Sequence, residues 1–150
     1  MPPDTRTRVP RNTSPDVNES IQRQIEESVR YYAARPDRIR NRLRELDAEW
    51  DIERAIEANA AAVAFTGVFL GATRDRRWLT LPALVTGFLF QHAIQGWCPP
   101  VPVLRRFGFR TSYEIELERN ALKALRGDFA EVRYATDRAA AALEAARQAA

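Results

Sequence analysis

The run Trp78 to Leu104 holds 27 residues without one Asp, Glu, Lys or Arg. A shorter charge-free run, Ala58 to Thr73, precedes it across the four residues Arg74-Asp75-Arg76-Arg77. Charged residues fill almost everything else: residues 1–57 hold eleven Arg and twelve Asp or Glu, and residues 105–150 hold nine Lys or Arg and seven Asp or Glu. Two apolar runs joined by a tight charged turn, inside a polar chain, predict a helical hairpin in a lipid bilayer. The expected fold class is therefore all-α: an integral membrane two-helix hairpin flanked by amphipathic cytoplasmic helices.

The net charge of +3 is small and interleaved in sign. No block of like charge marks a nucleic-acid partner, so the partner expected is the bilayer. The single cysteine, Cys98, excludes an internal disulfide. The first apolar run begins too far along the chain for a signal peptide, so entry into a membrane would use the central helices themselves.

Residues 1–14 are rich in Pro, Arg and Thr and are expected to be disordered. Residues 15–54 read as cytoplasmic amphipathic helices. Ser14-Pro15-Asp16 starts the first of them, and Val17, Ile21, Ile25, Val29 and Tyr32 make its apolar stripe. Pro36 restarts the chain, and Ile39, Leu43, Leu46 and Trp50 make a second stripe at heptad spacing. Nothing stops this helix before Ala58, so it is expected to continue into the apolar segment as one rod. The hairpin covers residues 55–97: one helix at 55–73, a turn at 74–79, and one at 80–97, with Thr80 as cap and Pro82 in the first turn. Nineteen residues rise roughly 28 Å, close to the ~30 Å hydrocarbon core. Trp78 and Trp97 at the ends of the second helix, with Arg105 and Arg106 beyond it, are the expected interfacial anchors. Residues 98–111 form a Pro/Arg-rich interfacial segment. Residues 112–150 form a C-terminal cytoplasmic helix that Thr111 and Glu114 cap, Gly127-Asp128 weakens, and an alanine-rich end leaves to fray.

In lipid, small residues mark helix contacts. Gly67 and Gly71 make a GxxxG, and Ala83 and Gly87 repeat the spacing. With the turn centred between Asp75 and Arg76, Ala64 comes level with Gly87. These residues pack the hairpin, or seam a homo-oligomer. The same register puts Asn59 level with His92 and groups Glu57, Asn59, Gln91, His92 and Gln95 in a polar layer. That layer is either a mutual hydrogen-bond lock or a proton or ligand site. The twenty residues before Ala58 hold five arginines and the twenty after Trp97 hold three, against three in the turn. The tails are expected in the cytoplasm of a bacterium, the protein lying multi-pass in its inner membrane.

The stretch Gln91 to Phe129, preceded by Ile56 to Ala61, resembles the YgaP-like inner-membrane transmembrane family, whose domain has no assigned function. The shared signature is Gly-x-Cys-Pro after the second helix, here Gly96-Trp97-Cys98-Pro99, followed by Pro100. The resemblance implies the location and the hairpin form. Some relatives carry a fused rhodanese, a sulfurtransferase module; the helical N-terminal 57 residues leave no room for one, so what is implied is a link to sulfur chemistry in a rhodanese-type partner.

The chemistry of Cys98 stays open. It follows a helix C-terminus, where the dipole opposes a thiolate, and His92 lies about 240° around the helix from it. It is either a packed interfacial cysteine or the thiol of a sulfur or redox relay. No metal ligand set, phosphate loop or catalytic triad stands out, and no cofactor is expected. The leading reading is non-enzymatic, a small membrane anchor or assembly module. The alternatives are the Cys98 relay and a transport path lined by the polar layer. A soluble bundle burying the central helices would be the rival architecture.

Overall fold

The structure, a computed structural model, describes residues 4–149. The expected disorder of residues 1–3 therefore lies outside the described residues. The α-helices are α1 (Pro15–Ala33), α2 (Ile39–Ala48), α3 (Ile52–Thr73), α4 (Thr80–Gln95), α5 (Val101–Arg106), α6 (Ser112–Arg126) and α7 (Arg138–Ala149), and the described residues contain no strand. They form two compact units. One comprises the residues up to Ile21 with Trp50–Tyr113, the other Gln22–Glu49 with the residues from Glu114 onward.

The second unit has a helical apolar core. Ile39, Leu43 and Leu46, the heptad stripe, bury against Ile115 and Leu122, with Tyr32 packed alongside. A carboxylate sits inside this unit. Glu118 accepts from Ser28 Oγ at 2.5 Å and from Arg42 Nε at 2.8 Å, a paired arrangement that a buried charge requires. Arg119 ties α6 to α2 through the Leu46 carbonyl and Asp47, the latter at 3.0 Å. The expected single C-terminal helix is broken rather than weakened. Gly127 takes φ +89°, and its N–H closes α6 on the Lys123 carbonyl; a side chain would strain that backbone. Leu125 and Leu143 are exposed.

In the first unit, α3 carries 22 residues, a rise of about 33 Å. The expected rod does not form. Glu49 and Asp51 are extended, and the Asp51 carboxylate caps α3 by accepting from the Arg54 N–H at 2.7 Å. The Ile52 N–H, which no helix turn could satisfy, donates to the Arg110 carbonyl. Trp50 leaves its stripe and lies exposed under the Arg54 guanidinium. Beyond the turn at Arg76–Leu79, α4 runs back along α3. Thr80 is its first residue rather than its cap, its hydroxyl donating to the Arg77 carbonyl. Gly96, at φ +74°, ends α4 two residues before the expected limit.

Two further departures shape this unit. The prolines after Cys98 do not leave a loop: Pro100 and Pro102 stand at the start of α5, where a missing N–H costs nothing. Residues 4–13 are not disordered but form a strap on the end of α4. Val9 enters the core with Ile52, Ile56, Cys98 and Val101. Arg8 Nη1 donates to the Ala93 carbonyl and Asn12 Nδ2 to that of Gln95. A Cβ at Gly96 would lie 2.5 Å from the Arg8 backbone, so the strap's close approach needs glycine there.

The stretch Pro36–Thr73, whose apolar part is α3, is the one helical stretch among the described residues long and apolar enough to cross a membrane. Only 17% of its most apolar eighteen-residue window is buried.

Candidate functional site

Three helices of the first unit enclose a cavity of about 500 Å³. Ile56, Ala60 and Val63 of α3 form one wall, Val85, Phe88 and Leu89 of α4 the second, and Val103 and Leu104 of α5 the third, with Cys98, Pro99 and Pro100 closing the end. Asn59 is the one amide in the lining, and its Nδ2 is committed to the Ala55 carbonyl one turn back at 2.8 Å. The cavity thus offers dispersion contacts and almost no hydrogen bonding.

Cys98 is 2% exposed and packs in the core with Ile56 and Val101. Burial pushes its thiol above the ordinary value, with the Val101 N–H opposing. A high-pKa, buried thiol is a poor nucleophile. Arg105, expected as an interfacial anchor, is instead 1% exposed. Its guanidinium donates to Thr13 Oγ1, the Phe109 carbonyl and Asn18 Oδ1, joining the strap, α5 and α1 within this unit. Arg106 is exposed, Trp78 is exposed and Trp97 half-buried.

The predicted polar layer does not assemble as a lock. Glu57 and Gln95 are exposed, Gln91 is half-buried, and Asn59 bonds its own helix. His92 is 6% exposed, and neither ring nitrogen meets a hydrogen-bond partner among the described residues. The buried polar cluster is made by residues the sequence reading passed over. Arg8 Nη2 lies 3.8 Å from Glu53 Oε1, and both residues keep a buried atom, Nε and Oε2, without a hydrogen-bond partner among the described residues. Burial pushes the Glu53 carboxyl up, and Asp51 adds to it, against the pull of its own N–H and of Arg8 and Arg105. No local pattern could signal the strap's contacts, since Arg8 and its α4 partner are separated by 85 positions.

Of the small residues, Gly67 and Gly71 face the returning chain. A Cβ at Gly67 would meet Pro82 Cδ at 2.5 Å, and one at Gly71 would meet Leu79 Cδ2 at 2.6 Å. Gly87 faces open space, so the expected close approach of Ala64 to Gly87 is not the contact that joins these helices. Ala83 is exposed and Ala64 half-buried. No group of three His, Cys, Asp or Glu side chains that could hold a metal occurs among the described residues. Compared with known proteins, the chain matches no family model, no curated protein and no solved structure.

Proposed function

We propose that this chain is a small inner-membrane anchor or assembly module, with residues 55–73 and 80–97 as two spanning helices and the charged helices as its cytoplasmic interaction surface. The observation that carries the reading is the outward face of the central helices. Phe65 is 73% and Phe90 70% exposed, and Val68, Phe69 and Leu84 are exposed with them. A water-soluble monomer does not present so continuous an apolar surface on two neighbouring helices. In hydrocarbon the same surface is solvated. The helix α4 alone rises only about 24 Å over its 16 residues. The charge-free stretch continues on both sides of it, through Trp78 and Trp97, and these are the residues suited to the two interfaces.

A thiol relay with a rhodanese-type partner would need Cys98 to be reached from outside, and its burial favours the anchor reading. The arginine count favours both tails in the cytoplasm. The test is fractionation of the full chain expressed in a bacterium, with alkaline carbonate washing and reporter fusions at each terminus. The chain should remain in the inner-membrane pellet, with both reporters cytoplasmic. Recovery of folded, monodisperse protein from the detergent-free soluble fraction would overturn the reading.

A further inference from the structure

We propose that the cavity between α3, α4 and α5 is a lipid-binding site that holds one acyl chain of a membrane phospholipid, with the phosphate at Arg106. This rests on the bilayer placement proposed above.

The lining selects the ligand class. Apart from the Asn59 amide, one N–H of which goes to the Ala55 carbonyl, and the Cys98 thiol, the lining side chains are apolar, so a charged ligand would lose its water partners without replacement. Water gains nothing there for the same reason, because a buried water needs two to four polar partners. The volume of about 500 Å³ falls within the range of ligand pockets. The mouth sets the route. Val63, Phe88 and Val103 line the cavity and are also exposed, so its mouth is apolar and open to the surroundings. An occupant therefore enters sideways from hydrocarbon, without crossing water.

The headgroup assignment comes from α5. Arg106 follows Val103 by three residues and so stands one helical turn further along the same side. It is exposed, as is Phe107 after it. Its cationic end reaches the surface where the chain leaves the charge-free run, the level at which a phosphate would sit.

Native mass spectrometry of the full chain, extracted in mild detergent and exchanged into a second one, tests the proposal. One phospholipid mass should remain per chain. Ala60→Trp, which fills the cavity, should lose it, and Leu84→Trp, on the exposed face, should keep it. Arg106→Gln should weaken retention of an anionic phospholipid about fivefold at low salt, the equivalent of about 1 kcal/mol per basic residue. Independently of any variant's folding, adding phospholipid to delipidated wild type should raise its thermal unfolding temperature in detergent, since a ligand bound to the folded state stabilises it. Bare protein throughout, a retained quinone or fatty acid, or a dimer in place of the lipid adduct would overturn it. A chain that is membrane-embedded yet never carries lipid ends this site alone, whereas a chain found folded in water ends the bilayer placement as well.

Discussion

Glu53 shows what one buried carboxyl does to a helix end. It lies in the first turn of α3, beside Asp51 and within ion-pair distance of Arg8, and burial is the largest influence on it. Its folded-state pKa therefore stands above its ordinary value of 4.5, so the folded chain holds this proton more tightly than the unfolded one. Stability is then favoured at low pH and falls as pH rises from the ordinary value through the folded one, where it levels off. The Glu53→Gln protein carries no such proton and keeps the local shape. Thermal unfolding in detergent micelles, run in parallel between about pH 4 and pH 8, should show the wild type losing stability relative to Glu53→Gln as pH rises through that window. A constant difference across the range would contradict it. The partner atoms explain why the residue was not legible beforehand: an Asp-x-Glu at a helix start reads as capping and dipole compensation, and only the strap, folding back from far away in sequence, buries it.

At the scale of elements, the two glycines of the GxxxG and the third at Gly87 give opposite expectations. An alanine at Gly67 must displace Pro82 at the start of α4, a rigid obstacle, while one at Gly87 meets nothing within 4 Å. Gly67→Ala should destabilise the α3–α4 pair by roughly 1–3 kcal/mol, as overpacking does. Gly87→Ala should be neutral or stabilise by up to about 1 kcal/mol through helix propensity. Denaturant titration in mixed micelles, followed by circular dichroism, measures both, and equal effects at the two sites would show that the helices do not meet along Gly67. The GxxxG was legible because small residues in a charge-free run have few other uses. So were α1, the buried part of the α2 stripe and the position of the turn, which periodicity and charge fix locally. The break at Glu49–Asp51 was not, because Asp51 serves equally well inside a helix until its carboxylate caps the next one. Helix α5 is not legible in the Pro/Arg-rich segment because clustered prolines suggest irregular chain, although in a first turn they start helices. The polar layer failed for a different reason. Equal depth along two helices does not fix their rotation, so Asn59 turned to its own backbone and His92 was buried without it.

Across the whole molecule, one unit buries the α2 stripe around Leu122 and the paired Glu118, while the other leaves Phe65, Phe69 and Phe90 outside on its central helices. That contrast yields a prediction whose sign depends on the solvent. Phe65 stands near the middle of α3 and is 73% exposed. Were water its neighbour, Phe65→Asp would remove a hydrophobic liability and raise the yield of dispersed protein. In hydrocarbon the same change places a charge near the centre of a spanning helix, at a cost of about 2.5–3.5 kcal/mol on insertion scales. Tyr134 provides the control, since it is exposed in the other unit and outside any apolar run. Phe65→Asp should therefore cut the inserted fraction several-fold in a membrane-integration assay, and Tyr134→Asp should leave it unchanged. Moving the aspartate along α3 to the Thr73 end should restore insertion progressively, because the penalty fades toward the interface where the side chain reaches water. A Phe65→Asp protein that inserts as well as wild type, or that turns up soluble in greater yield, would mean that this face meets water or another protein chain instead of lipid.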